Sequence, residues 1–153
     1  MKTLVWNCRG VGGPLTIPQL KEMIYLHFPS IVFLSETKNK KTVMEKVKRQ
    51  LKFDQCYVVE PVGKAGGLTL FWKEEVQVES ITDGNFFIEV KIKDLEAKCE
   101  WWLVGVYAST DENIRKEQWR KIEEKKKDWG DLWILVGDFN DIRSGEEKWG
   151  GGE

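Results

Sequence analysis

Polar side chains able to hold a cation or a phosphate follow several apolar runs of this sequence, each at the point where the run ends. Asn7 follows TLVW, Glu36 follows IVFLS, and Tyr107 ends the run WWLVGVY. Asp138 and Asn140 follow ILVG, with one residue between them. Because ligands of open α/β sheets bind at the carboxyl ends of strands, this repeated placement predicts a shared site around one cavity.

Taken singly, these residues have a simpler explanation, since Asn and Asp after a strand commonly form turns by bonding to their own backbone. For Asn7 alone that explanation is the stronger one. Glu36 is harder to explain, because desolvating a carboxylate costs several kcal/mol unless it lies at a rim or holds a cation. In an extended backbone Asp138 and Asn140 would face one ligand together, while Phe139 would point into the core.

The composition excludes several classes of protein. With 153 residues, 41% hydrophobic and 32% charged, the chain is long enough for one domain with a core. No run approaches the roughly 20 apolar residues of a spanning helix, and no signal peptide is recognised, so we expect an intracellular protein. Three cysteines without paired spacing predict neither disulfides nor a zinc site.

The charge balance does not indicate the overall positive electrostatic potential that is typical of nucleic-acid-binding proteins. The formal net charge is -1, and the local lysine clusters are most simply solvated helix faces. A phosphate held through a bound metal needs no overall positive charge, however, so this charge balance is compatible with a DNA partner.

Hydrophobic periodicity predicts strands alternating with helices in the first third and a run of strands in the middle. A first helix should be capped by Thr16 and end before Pro29, and Val43, Val47 and Leu51 should line a second. A third is predicted from Asn113 to Lys127. The predicted strands run from Lys2 to Trp6, Ile31 to Leu34, Tyr57 to Val59, Leu68 to Trp72, Val76 to Ile81, Phe86 to Ile92, Trp101 to Tyr107 and Leu132 to Val136.

The middle strands are expected to form a meander. Gly66-Gly67 and Asp83-Gly84-Asn85 supply its turns. The alternation of Phe86, Ile88 and Val90 with Phe87 and Glu89 predicts a strand that buries one face only.

The order of the motifs WNCRG, LSETK, GGLTLFW, GVYAS and GDFND covers nearly the whole chain. It resembles the endonuclease/exonuclease/phosphatase superfamily, with its deoxyribonuclease I-like fold. MKTLVWNCRG and GDFNDIRSGEEKWGG are most similar to the endonuclease domain of plant LINE-type non-LTR retrotransposons. The resemblance implies an α/β fold, a four-layer sandwich of two mostly antiparallel β-sheets flanked by helices. Residues 1–153 would be the N-terminal portion of a single such domain, C-terminally incomplete, and we expect 143–153 to form a disordered tail.

The resemblance also implies roles for individual residues. Glu36 would bind Mg²⁺ or Mn²⁺, and Asn7 would help to place that metal or an attacking water. Tyr107 would contact the phosphate, Asp138 would orient the nucleophilic water or accept its proton, and Asn140 would hold a phosphate oxygen. Oxygen ligands of this kind agree with the coordination chemistry of Mg²⁺. The implied substrate-binding set is Arg9, Tyr107 and Asn140.

One part of the family's machinery has no counterpart in these residues. The resemblance implies a C-terminal Ser-Asp-His segment whose histidine acts beside the scissile phosphate, whereas the only histidine here is His27, in the first predicted helix. Losing a general acid or base costs about a hundred- to ten-thousand-fold in rate. We therefore expect the chain by itself to be inactive.

Three functions stay open from the sequence. The first is a DNA endonuclease domain that grips the phosphate backbone, acts in the nucleus and accompanies a reverse transcriptase region in a longer polyprotein. The second is a non-catalytic remnant or binding fragment. The third is a phosphatase or phosphodiesterase of the same superfamily, which would share the core residues and differ in its loops.

Overall fold

A computed structural model describes residues 1–62 and 66–140 of the chain. It divides into two compact units, Met1–Gln77 and Val78–Glu153. Each unit contains one four-stranded sheet with flanking helical segments. The expected α/β class and the two mostly antiparallel sheets are therefore confirmed.

The first unit has the strand order β1-β2-β4-β3. Strands β1 and β2 are parallel, whereas β4 pairs antiparallel with both β2 and β3. Strand β2 is buried along its whole length, as expected for the near-continuous apolar run IVFLS in the interior of a sheet. The elements are β1 (Thr3–Asn7), α1 (Thr16–His27), β2 (Ile31–Ser35), α2 (Lys41–Leu51), β3 (Gln55–Val59) and β4 (Leu68–Trp72).

The helices of this unit bury one stripe each. Met44, Val47 and Leu51 of α2 recur at helical spacing and join the core, while the lysines of α2 lie outward or half-buried. The predicted cap of α1 is wrong. Leu15 occupies the N-cap position, and no side chain caps the helix there. The Thr16 hydroxyl donates instead to the Gly10 carbonyl at 3.3 Å.

The second unit has the strand order β5-β6-β7-β8. Strands β6 and β7 are antiparallel, whereas β7 and β8 are parallel. Asp111 caps the helix between them by accepting from the N–H groups of Asn113 and Ile114. The elements are β5 (Gln77–Asp83), β6 (Phe87–Asp94), β7 (Cys99–Tyr107), α3 (Glu112–Lys125), a 3₁₀ turn (Lys126–Asp128) and β8 (Trp133–Asp138).

A buried carboxylate ties the end of α3 to β6. Glu89 is 4% exposed and accepts from the Trp129 indole N–H at 2.7 Å and from the Thr82 hydroxyl at 2.9 Å. The ammonium of Lys125 lies 2.7 Å from the same carboxylate. Glu89 was expected on the solvent side of a strand with one buried face. That expectation is wrong, because Trp129 and Lys125 cover this side, and Phe87 is buried as well.

Two further expectations of the sequence have different outcomes. The middle strands do not form one meander, because β3 and β4 belong to the first sheet and β5 to β7 to the second. The turn at Asp83-Gly84-Asn85 is present, with the Gly84 N–H donating to the Phe87 carbonyl. The expected tail, residues 143–153, lies outside the described residues. Within the part described, no helix is long and apolar enough to cross a membrane.

Candidate active site

The first unit brings Asn7 and Glu36 to neighbouring positions at the carboxyl ends of its two parallel strands. Asn7 is the last residue of β1 and pairs in register with Ser35, the last residue of β2. Glu36 follows directly. The parallel pairing itself therefore accounts for the proximity of these two motifs, as the sequence predicted for strand-end residues.

Backbone hydrogen bonds hold the segment after β2 from both sides. The N–H groups of Gly10 and Val11 donate to the carbonyls of Glu36 and Thr37 at 2.6 and 3.1 Å. On the other side, the N–H groups of Thr37 and Lys38 donate to the carbonyls of Gly67 and Gly66 at 3.2 and 3.0 Å. Glu36 is thus presented by a fixed backbone, which is the arrangement that a preorganised ligand position requires.

The backbone conformation of the segment after β2 also requires a glycine at position 67, which lies against Thr37 and Lys38. Gly67 has a φ of +94°, and a Cβ there would overlap the buried hydroxyl of Thr37 and lie 3.2 Å from the Lys38 nitrogen. Glu36 and Lys38 themselves adopt left-handed conformations, with φ of 51° and 55°. Such conformations in residues other than glycine are uncommon and concentrate at functional sites.

The Glu36 carboxylate lies at a rim. Its side chain is 19% exposed, and the nearest ammonium, that of Lys38, is 3.9 Å from Oε1. This separation is too long for a hydrogen bond, so the pair is a loose electrostatic contact. A half-buried carboxylate of this kind fits a hard divalent cation, which binds through one or two carboxylates and completes its shell with water and substrate oxygens. In residues 1–62 and 66–140 no group of three or more His, Cys, Asp or Glu side chains gathers as a metal cluster.

Asn7 has a structural role that the sequence also suggested. Its Oδ1 accepts from the Arg9 N–H at 3.0 Å, which is the turn geometry common for Asn after a strand. Arg9 is exposed, with a φ of 49°. The turn directs the chain toward the Gly10 and Val11 contacts with the Glu36 segment.

The second unit repeats the arrangement with its own parallel pair. Tyr107 and Asp138, the last residues of β7 and β8, are register partners. The Ala108 N–H donates to the Asp138 carbonyl at 2.8 Å, and the Asn140 side-chain amide donates to the Ala108 carbonyl at 2.7 Å. The structure therefore brings Tyr107, Asp138 and Asn140 together at one end of this sheet.

The expected extended backbone after β8 is wrong in one respect. The strand ends at Asp138, whose Oδ1 accepts from the Asn140 N–H at 3.1 Å, and Asn140 has a φ of 47°. The chain turns because a carboxylate at this position stabilises the tight turn. Phe139 lies as predicted, against the core, with its ring centroid 5.5 Å from that of Trp119.

Gly137 is a structurally required position next to Asp138 that the sequence did not lead us to predict. Its φ is +124°, and a Cβ there would overlap the carbonyl oxygen of Val106 on the neighbouring strand. Only glycine allows β8 to approach β7 this closely immediately before Asp138. The signal was present in the motif GDFN, in which glycine precedes the aspartate.

The remaining titratable candidates lie elsewhere or are held in an unreactive state. His27 is exposed at the last position of α1, before β2 begins, whereas Glu36 follows the end of β2. Cys8 is buried and donates to the Ser35 carbonyl at 3.2 Å, and burial raises the pKa of its thiol to about 11. A thiol with that pKa is a poor nucleophile at neutral pH. All three cysteines are free.

Comparison with known families gives one match across nearly the whole chain. The family described as "Endonuclease/Exonuclease/phosphatase family" matches residues 4–150. A comparison with curated proteins found no match.

Several solved structures share the fold. Humanized D. rerio TDP2 has a TM-score of 0.73 at 17% identity over 92% of this chain and 66% of that one. The 3′ phosphatase NExo from Neisseria, bound to a product DNA hairpin, has a TM-score of 0.72 at 14% identity over 95% and 60%. A mannosyl-6-phosphatase of Bacteroides thetaiotaomicron has a TM-score of 0.72 at 16% identity over 90% and 64%. The chain spans less than two thirds of the length of each of these proteins.

Proposed function

We propose, from the premise that this chain belongs to the endonuclease/exonuclease/phosphatase family, that it supplies the metal-binding and phosphate-binding residues for hydrolysis of a DNA phosphodiester. The observation that supports this most directly is the repeated use of a parallel strand pair. Each unit carries one such pair, and each pair ends in residues suited to a cation or a phosphate.

The chemistry of hydrolysis divides naturally among these side chains. A positioned water, a donor to the phosphate oxygens and an acceptor for the proton of the water are required. The Asp138 carboxylate would accept that proton or orient the water, and Asn140 and Tyr107 would donate to phosphate oxygens. Their backbone setting already holds them at one edge of the second sheet, since Asn140 is fixed through Ala108 and through Asp138 itself.

A divalent cation fits the first unit. Enzymes of this family generally depend on a divalent metal, and Glu36 would hold it, with Asn7 beside it on the neighbouring strand. When bound, the cation would neutralise charge on the phosphate oxygens and the leaving oxygen. Mg²⁺ is proposed rather than Zn²⁺, because the candidates offer oxygen atoms and no histidine or thiolate. Arg9, exposed next to Asn7, would contact the DNA backbone.

We propose that no side chain in residues 1–62 and 66–140 acts as the general acid for the leaving oxygen. The only histidine, His27, is on the exposed end of α1. The missing group implies a rate loss of roughly a hundred- to ten-thousand-fold. We therefore propose that the 153 residues alone bind metal and phosphate but turn over slowly or not at all, and that a further segment is needed for full activity.

DNA is the substrate that the comparisons favour, although a phosphomonoester is a second candidate. The Neisseria neighbour holds a product DNA hairpin, and another D. rerio TDP2 structure holds a single-strand DNA product. The same neighbours include enzymes named as a 3′ phosphatase and a mannosyl-6-phosphatase. The first experiment should therefore include both phosphodiester and phosphomonoester substrates.

The biological setting is a further part of the proposal. The similarity of the segments MKTLVWNCRG and GDFNDIRSGEEKWGG to plant LINE-type endonuclease domains supports the proposal that this chain is part of a plant LINE-type retrotransposon. In that setting the domain would act in the nucleus and would be joined to a reverse transcriptase region. Detection of this sequence upstream of a reverse transcriptase in one transcript would test it, and a transcript without such a region would contradict it.

The test of the function is a cleavage assay on two forms of the protein. One form is the 153-residue chain, and the other carries an additional C-terminal segment of the family that contains Ser-Asp-His. Both are incubated with supercoiled plasmid, with a 3′-phosphorylated oligonucleotide and with a sugar phosphate, in Mg²⁺ and in EDTA. We expect Mg²⁺-dependent nicking by the extended form and little by the short one.

Matched variants separate the site from general charge effects. Glu36→Gln and Asp138→Asn in the extended form should each lower nicking by at least about a hundredfold. Glu22→Gln and Asp131→Asn make the same charge changes at exposed positions and should leave the rate within about twofold. Equal activity in Glu36→Gln and Glu22→Gln, or nicking that persists in EDTA, would overturn the proposal.

A further inference from the structure

An apolar surface with a basic rim lies in the first unit at the opposite end of β2 from Glu36. It is formed where α1 and α2 both end and where the chain leaves β4, and its cavity is about 410 Å³. We call it the Tyr25–Phe28 surface. The residues that line it include Lys21, Tyr25, Phe28, Leu51, Lys52 and Lys73.

The apolar part of this surface is unusually exposed. Tyr25 is 74% exposed and Phe28 is 76% exposed. Leu51, by contrast, is 4% exposed and forms part of the core, so the cavity has an apolar floor. Contiguous exposed apolar groups with a polar rim are characteristic of binding sites for other molecules.

The rim carries one sign of charge. Lys21 and Lys52 are exposed, and Lys73 is fixed in place, donating to the Lys52 carbonyl at 2.6 Å and lying 4.5 Å from the centroid of the Phe53 ring. None of the eight residues that line the cavity is acidic. An occupant with apolar groups flanked by negative charge would complement both features.

The geometry of the two rings helps to choose among anionic occupants. The Tyr25 and Phe28 rings are 6.3 Å apart and tilted by 42°. Because of this tilt, one nucleic acid base cannot stack on both rings at once. The tilted rings and the apolar floor at Leu51 instead suit a branched or aromatic side chain.

We propose that the Tyr25–Phe28 surface docks an acidic segment of a partner protein, which inserts one large apolar side chain over Leu51 and places Asp or Glu residues against the lysines. This interaction goes beyond hydrolysis and is independent of it, because the surface and Glu36 lie beyond opposite ends of β2. It would anchor the phosphoesterase unit to another protein while leaving the strand-end residues exposed to substrate.

The test uses a synthetic probe and the full chain. A fluorescein-labelled 12-residue peptide of Glu, Asp and Leu with one central Phe is titrated by anisotropy, beside the same peptide with Lys in place of the acids. We expect the acidic peptide to bind and the basic one not to bind. Tyr25→Ser and Lys21→Glu should each weaken binding by at least about tenfold, and added salt should weaken it further.

Controls distinguish docking from misfolding and from the hydrolytic site. Leu15→Ser removes an equally exposed apolar side chain, 67% exposed, just before α1, and should bind as the unmodified chain does. Glu36→Gln should do the same, so failure of the hydrolytic proposal would not affect this result. The proposal is overturned if both peptides bind equally or not at all, if Tyr25→Ser binds normally, or if single-stranded oligo(dT) binds more tightly than the acidic peptide.

Discussion

Replacing Gly137 by alanine tests how the second unit positions Asp138. At this residue φ is +124°, and the added Cβ would overlap the Val106 carbonyl oxygen and lie 3.0 Å from the carbonyl carbon and nitrogen of Val106. Val106 and Gly137 are register partners in the parallel pair of β7 and β8. The overlap is with backbone, so no side chain can rotate to relieve it.

The cost can be estimated from two contributions. An L-residue at this φ is strained by roughly 1–3 kcal/mol. Separating the strands enough to admit the methyl group weakens the neighbouring ladder hydrogen bonds, each worth about 1 kcal/mol. If two such bonds are weakened, the total is about 3–5 kcal/mol, which is a third or more of the free energy of unfolding of many domains. Asp138 would also shift, because it follows immediately in the displaced strand.

Urea unfolding monitored by tryptophan fluorescence measures this loss. Gly12→Ala is the matched control, since nothing lies within 4 Å of a Cβ at Gly12, and its midpoint should stay close to that of the unmodified chain. Gly137→Ala should unfold at a clearly lower urea concentration. A Gly137→Ala protein as stable as Gly12→Ala would refute the close-approach explanation of the GDFN motif.

Three further outcomes follow from the buried and paired side chains. The pKa of the Cys8 thiol is raised to about 11 from 9.0, so Cys8 should be alkylated near pH 7.5 roughly a hundredfold more slowly in the folded chain than in urea. Mass spectrometry of the modified peptide measures both rates, and equal rates would contradict the burial of Cys8. Lys125→Met should lower the free energy of unfolding by roughly 1–3 kcal/mol, since the buried Glu89 loses its ammonium partner. The hydrogen bond to Glu89 raises the pKa of Lys125. The difference in free energy of unfolding between the unmodified chain and Lys125→Met should therefore be full below pH 10.5 and shrink above the raised pKa. Urea unfolding at pH 8 and at high pH measures it, and a difference that stays constant would show that the ion pair contributes nothing. Lys38→Gln removes the ammonium 3.9 Å from Glu36 and should tighten Mg²⁺ binding by up to about fivefold in calorimetry, whereas unchanged or weaker binding would place the metal away from Glu36.

The strand ends were predictable because apolar runs stop where the chain must reach solvent. IVFLS is buried throughout and Glu36 follows it at the rim. ILVG likewise leads to Asp138, although Ile134 within it is exposed. The spacing of Val43, Val47 and Leu51 similarly placed α2, in which Met44 is buried together with Val47 and Leu51. Local periodicity carries this information, because a single element must bury one face whatever its neighbours are.

The parts that sequence reasoning missed depend on contacts between distant segments. Glu89 looked like a solvent-facing residue of an amphipathic strand, and only the packing of Trp129 and Lys125 from the end of α3 makes it a buried acceptor. The turn at Asn140 likewise depends on a hydrogen bond from its side chain to Ala108, 32 residues earlier. Gly137 is required by a strand that pairs with it from another part of the chain.

Binding of Mn²⁺, followed by the paramagnetic broadening of amide signals in a ¹⁵N-labelled sample, addresses the proposed metal site without needing turnover. We expect the amides of Cys8, Glu36 and Thr37 to broaden first as Mn²⁺ is added. This broadening should disappear in Glu36→Gln but not in Glu22→Gln. Broadening that is unchanged in Glu36→Gln, or confined to exposed carboxylates elsewhere on the chain, would contradict the assignment of Glu36 as the metal ligand.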